Sequence, residues 1–172
     1  KARRLDITEE VYFDIIRRKT ASLIAACCAA GAASSGADED RVEHMRAFGE
    51  AVGIAFQIKD DLLDFAPTSA TGKPKGGDLK ERKMTLPLIH TLQMQSRGER
   101  KRMIRDIKRS ATQPEVASAL LGDIEAGPGI RYAEEKMAEY RDRAIAMLED
   151  LPASPAREAL AELVQFTTSR RK

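Results

Sequence analysis

No tryptophan occurs in the 172 residues, aromatics make up only 5%, and the two cysteines stand side by side at Cys27 and Cys28. Adjacent cysteines suit neither a disulfide framework nor a zinc knuckle, whose ligands lie a few residues apart, so they read as small packing residues. With no cysteine pattern and no signal peptide, a reducing, cytoplasmic setting is the expectation. The chain opens on Lys1-Ala2-Arg3-Arg4 without a methionine, which reads as a processed or truncated start. Its longest apolar stretch, Ala21 to Ala33, is interrupted by Ser22 and falls short of the ~20 residues that span a bilayer, so no transmembrane helix is expected. Charge of one sign is scarce too. Twenty-nine Lys and Arg against 27 Asp and Glu leave +2, far from the field of an obligate nucleic-acid binder. Nucleic acid is therefore not an expected partner, and any anion bound must be gripped locally. The glycine-lysine spacing of a P-loop and the dinucleotide glycine fingerprint are both missing.

What is present is 42% apolar residues, enough for a core of domain size, recurring at intervals of three and four. This pattern predicts a single all-α domain over residues 1–172. A first helix is expected from about Thr8 to Ala33, capped by Thr8, with Ile16, Leu23 and Ile24 inward. A second, from about Asp40 to Phe65, follows the acidic cap Asp38-Glu39-Asp40 and carries Val42, Met45, Gly49, Val52 and Phe56 as its buried stripe. From Ala66 to Met84 a long loop rich in glycine and proline intervenes. Further helices are expected over Thr85 to Gln95, Glu99 to Ser110, from Pro114 to the Gly127-Pro128-Gly129 break, Ile130 to Leu151, and Pro155 to Ser169. In the basic helix ending at Ser110, Met103, Ile104 and Ile107 face inward. His44 and His90 match no ligand spacing and read as structural.

Two neighbouring features carry chemistry. Asp60 and Asp64 share a helix face about 6 Å apart along the axis, with Asp61 turned roughly 100° away. Like charges on one face, at the negative end of the macrodipole, call for a cation. A sparse carboxylate set with open positions suits Mg²⁺, which shares its coordination with water and phosphate oxygens. Directly afterwards, Gly72-Lys73-Pro74-Lys75-Gly76-Gly77-Asp78-Leu79-Lys80-Glu81-Arg82-Lys83 packs five cations into a glycine-rich loop, the kind of segment a diphosphate needs. The rival reading is a solvated acidic face followed by an exposed, solubilising turn.

Phe56-Gln57-Ile58-Lys59-Asp60-Asp61-Leu62-Leu63-Asp64, the later Gly72-Lys73, and Lys83-Met84-Thr85-Leu86-Pro87-Leu88-Ile89 resemble the second aspartate-rich region of the trans-polyprenyl diphosphate synthases. Lys19-Thr20, ahead of an alanine-rich stretch ending at Gly31, resembles that family's lysine-threonine substrate motif, and the likeness continues through Gly129-Ile130 and Ala133. It covers the whole chain but only the family's C-terminal half. The family's first Asp-Asp-x-x-Asp motif and its isopentenyl-diphosphate pocket belong to the other half. Lys80-Glu81-Arg82-Lys83 departs from the family, where many members have an acidic residue and glycine before the lysine.

The resemblance implies the second half of an isoprenoid-synthase-type helical bundle, and a Mg²⁺-dependent prenyltransferase that condenses isopentenyl diphosphate with an allylic diphosphate. It implies that Asp60 and Asp64 hold Mg²⁺ with Asp61 in support, and that Lys19 and Lys73, with Lys83, contact the allylic diphosphate. Thr20 and Gln57 would steady the allylic cation and Phe56 would wall the site. A homodimer is implied, with the missing N-terminal half needed for a complete site and these residues inactive alone. The alternatives are a noncatalytic helical partner subunit of a synthase and a class I terpene cyclase; the intact Asp-Asp-x-x-Asp argues against the cyclase, whose second metal motif mixes Asn, Ser and Glu.

Overall fold

The computed structural model describes Leu5, residues 7–66 and residues 75–170, and every regular element among them is helical. The chain divides into two compact units. One contains the described residues through Tyr12 and those from Asp60 to Glu134; the other contains Phe13–Lys59 and Glu135–Arg170. In chain order the helices are α1 (Glu9–Ile16), a π-helical turn (Arg17–Ala21), α2 (Ser22–Ser34), α3 (Glu39–Leu63), α4 (Gly77–Lys80), α5 (Leu86–Met94), α6 (Arg97–Ser110), α7 (Pro114–Ala126), α8 (Gly129–Glu149) and α9 (Pro155–Ser169). No helix among the described residues is long and apolar enough to cross a membrane.

The helix ends follow local chemistry. Thr8 Oγ1 accepts from the Val11 N–H at 3.3 Å, and the Asp38 carboxylate accepts from the Arg41 N–H at 2.8 Å, so both expected caps form. Prolines stand in the first turns of α5, α7 and α9, where a missing N–H costs nothing. Helix α6 starts two residues before the expected Glu99, because Ser96 and Glu99 form a reciprocal capping box.

Three expectations need correction. The first helix is not continuous: its π turn adds a residue between Ile16 and Ala21, so the buried positions run Ile16, Ala21, Ala25 and Ala29 rather than at an even helical period. Leu23, expected inward, is consequently 68% exposed. In α3 the inward surface is broader than one stripe. Gly49 and Val52 are buried, Val42, Met45 and Phe56 only partly, while Ala51, Ile54, Ala55 and Ile58 are almost completely enclosed. Finally, the long loop after α3 is not structureless throughout, since α4 forms within it.

In the second unit, Phe48, Ala51 and Val52 of α3 form a core with Ala144 and Leu148 of α8 and Val164 of α9. Small residues set its closest contact. A Cβ at Gly53 would stand 2.5 Å from the Ala21 Cα, and one at Gly49 would stand 2.8 Å from the Ala25 Cα and the Ile24 carbonyl. The α3 backbone thus lies directly against the π turn and α2, which a side chain at either glycine would prevent. Cys28 packs partly against this core and Cys27 is exposed. His44 has Nε2 2.7 Å from the Met147 carbonyl, consistent with a structural role.

Candidate active site

In the first unit, the end of α3 supplies the aspartates. Asp61 lies on the same helical row as Ile54 and Ile58 and is itself 1% exposed, so its carboxylate enters the protein with neutralising partners. Lys83 Nζ is 3.2 Å from Asp61 Oδ1 and 2.7 Å from Asp78 Oδ2, and the Tyr12 hydroxyl donates to Asp61 Oδ2 at 2.9 Å. Burial raises the Asp61 pKa, opposed first by Lys83 and then by the Tyr12 hydrogen bond. Burial works against the Lys83 ammonium, but Asp61 and Asp78 more than reverse it and hold its pKa above the ordinary lysine value. Burial and the adjacent Asp61 charge likewise push the Tyr12 phenol well up, so it stays a donor. With Lys83 Nζ 3.2 Å from Asp61 Oδ1 and the Tyr12 hydroxyl donating to Oδ2, the geometry is that of a carboxylate–ammonium pair with a neutral tyrosine beside it.

Asp64 has a different task. Its Oδ2 accepts from the Asp78 N–H at 3.1 Å, and its main-chain carbonyl accepts from Gly76 at 3.0 Å, so it ties the start of α4 to the end of α3. Gly76 enters α4 with φ of 75°, and a Cβ there would also press into Leu121, so glycine is required on both counts. Half-burial raises the Asp64 carboxyl pKa, and the N–H groups of Asp78 and Gly77 partly restore it. Asp60 is exposed.

The cations of the glycine-rich loop are not left to repel one another in the described half of that segment. Lys75 pairs with Glu125 at 2.8 Å, Lys83 with Asp61 and Asp78, and the Arg82 guanidinium donates to the Lys108 carbonyl at 2.9 Å. Lys73 lies outside the described residues. Among the described residues no three His, Cys, Asp or Glu side chains gather into a group able to hold a metal ion. The donor set still fits a hard cation that takes one or two carboxylates and completes its shell from phosphate and water, with Asp60 exposed and the half-buried Asp64 oriented by the N–H groups of Asp78 and Gly77.

In the second unit, Lys19 and Thr20 sit within the π turn, Lys19 exposed and Thr20 half-buried. The Thr20 hydroxyl donates to Gln57 Oε1 at 3.0 Å, so the two expected cation-stabilising residues are brought together. The close approach at Gly53 makes that hydrogen bond possible, because Gly53 and Gln57 are one turn apart on α3. Phe56 is covered by the Arg170 guanidinium, 4.3 Å from its ring centroid. Two participants were not foreseen in these contacts: Tyr12, and Asp78 as a partner of both Lys83 and Asp64. The register of Asp61 behind Ile54 and Ile58 was a visible signal that it needs a buried partner; the identity of Tyr12, 49 residues earlier, was not.

The polyprenyl synthetase family model matches residues 1–124. The chain is 39% identical to a short chain isoprenyl diphosphate synthase of Methanothermobacter thermautotrophicus, over 97% of this chain and 51% of that protein. It is 34% identical to octaprenyl diphosphate synthase of Escherichia coli, over 96% and 51%. In three dimensions it is similar to the polyprenyl synthase of Caulobacter crescentus CB15, crystallised with calcium and isoprenyl diphosphate, at a TM-score of 0.87 and 36% identity over 98% of this chain and 52% of that one. The chain spans about half the length of the relatives it matches. With the helical fold, the aspartate-rich end of α3 and the lysine-threonine turn all in agreement, the chain belongs to the polyprenyl synthetase family.

Proposed function

We propose that the full-length protein is a Mg²⁺-dependent trans-prenyltransferase that lengthens an allylic diphosphate with isopentenyl diphosphate, acting as a cytoplasmic homodimer. The observation that carries this reading is the division of labour at the end of α3. Asp61 is neutralised inside by Lys83 and hydrogen-bonded by Tyr12, while Asp60 stays exposed and Asp64 is held by α4. Asp60 and Asp64 would hold the metal ion, with Asp61 supporting them from the interior. When bound, such an ion draws charge from a departing diphosphate.

Lys19 and Lys73 supply fixed positive charge to the diphosphate oxygens. Lys83, already engaged by two carboxylates, serves the site by fixing Asp61 and Asp78. The Thr20 hydroxyl donates a hydrogen bond to Gln57 Oε1, which leaves the lone pairs of Oγ1 for an electron-poor allylic carbon. Phe56 would wall the allylic substrate. The allylic C–O bond breaks, the alkene of isopentenyl diphosphate forms the new C–C bond, and loss of a proton restores a double bond. These residues contain one aspartate-rich motif, so the complete reaction is assigned to the full-length protein and residues 1–172 alone are expected to be inactive.

The test is Asp60→Ala in the full-length protein, assayed by incorporation of labelled isopentenyl diphosphate with Mg²⁺. Turnover should fall by orders of magnitude with the thermal midpoint retained. Persisting turnover, or collapse of the fold, overturns the metal assignment. Absence of incorporation by the unmutated protein, restored only by adding a separate synthase subunit, would establish the partner-subunit alternative instead.

A further inference from the structure

Helix α6 concentrates positive charge far beyond the rest of the molecule. Seven of its fourteen residues are Lys or Arg, against Glu99 and Asp106, so this helix carries +5 in a chain of net +2 and everything outside it is net negative. All seven cations are exposed. The acids offer them little. Glu99 is turned back onto Ser96 in the capping box, and Asp106 lies 3.7 Å from Arg109.

The arrangement is as telling as the count. At about 100° per residue the seven cations cover an arc of roughly 200°, opposite the buried row of Met103, Ile107 and Ser110. The apolar side of α6 is thus consumed within its own unit and cannot insert elsewhere, leaving a broad cationic face about 21 Å long. Helix α4 packs on α6 and extends the face: Arg82, at a left-handed φ of 56°, donates to the Lys108 carbonyl, and Lys80 is exposed beside it. Exposed Met94 lies just ahead of the helix.

We infer that α6 is a docking face for the surface of a bilayer containing anionic lipids. At the middle of that arc Arg97, Lys101, Arg105 and Lys108 project to one side and match a plane of negatively charged headgroups, and clusters of this size on an amphipathic helix are attracted to such surfaces. A single-stranded nucleic acid would call for aromatic side chains interleaved with the cations, and α6 has none. The inference stands apart from the proposed prenyl transfer. If that transfer occurs, the face would hold the protein where a product with a long hydrocarbon tail partitions.

Vesicle co-sedimentation of the full-length protein tests this, with neutral phosphatidylcholine vesicles and with phosphatidylcholine–phosphatidylglycerol mixtures at low and high salt. Binding should need the anionic lipid and fade with salt. Lys101→Gln/Arg105→Gln should weaken it about thirtyfold, whereas Arg46→Gln/Arg143→Gln, which removes equal charge from the other unit, should leave it unchanged. Lys101→Arg/Arg105→Lys keeps the charge and should bind as the unmutated protein, which separates loss of charge from loss of fold. Equal binding to neutral vesicles, equal loss in both glutamine pairs, or tighter binding to an RNA or DNA oligomer at matched salt would overturn the inference. Isopentenyl incorporation, measured without vesicles, should be the same in both glutamine pairs, so failure of either reading is visible separately.

Discussion

The end of α3 and the π turn hold their candidate active-site groups by different means. Around Asp61 the side chains are fixed by charge: a buried carboxylate, an ammonium shared between two aspartates, and a phenol. Around Thr20 they are fixed by backbone proximity, with a neutral hydroxyl-amide pair resting on glycine-alanine contact. The first arrangement tolerates little loss of a partner, because an ion left alone inside the protein has no substitute for water. The second tolerates little gain of volume, because packed backbones cannot separate without losing their contacts.

This contrast makes ordered predictions. Lys83→Met should be the most damaging, costing about 3 kcal/mol in urea unfolding, since Asp61 would lose its counter-ion. Adding Asp61→Asn should recover part of that loss; a double variant no more stable than the single one would show that the pair is not what Lys83 provides. Gly53→Ala should cost about 2 kcal/mol through overpacking against Ala21. In that variant the incorporation assay should lose more activity than the thermal shift explains, because Thr20 and Gln57 are moved apart. Tyr12→Phe removes only the hydroxyl and should cost about 1.5 kcal/mol, leaving Asp61 one hydrogen bond short. Its stability should not fall to that of Lys83→Met.

The smallest effect tests a region outside both. Ser96→Ala should cost about 1 kcal/mol by opening the cap of α6. Hydrogen bonds from Ser96 hold the Glu99 carboxyl below its ordinary value, so the folded state favours its charged form. That contribution is present above the ordinary value of 4.5 and is lost as pH falls through the lowered one. The gap between Ser96→Ala and the unmutated protein should therefore narrow on acidification. A gap independent of pH would mean that Glu99 takes no part in the cap.

Much of the helical order was legible because caps and prolines act locally. Thr8, Asp38, Pro87, Pro114 and Pro155 mark helix starts that the structure keeps. Ser96-x-x-Glu99 is equally legible as a capping box, and it starts α6 at Arg97, two residues ahead of Glu99. What escaped reading depends on contacts distant in sequence. The partnership of Tyr12, Asp61, Asp78 and Lys83 joins three separated segments, and no pattern within any one of them names the others. The exposure of Leu23 escaped for another reason: it follows from a regular period extended through a stretch where the helix is not regular.

That irregular stretch has a consequence for how the chain tolerates change. Were Arg17–Ala21 to wind as an ordinary helix with no residue lost, everything after it would turn by about 100°. Ala25 would then rotate away from Gly49, and a bulkier neighbour would be driven against the α3 backbone. A one-residue deletion inside the turn would instead bring Ile16 and Ala21 to four-residue spacing and keep Ala25 facing Gly49. The five-residue turn works as a phase setting, and its winding, more than the identity of its exposed residues, decides which side of the following helix can meet α3.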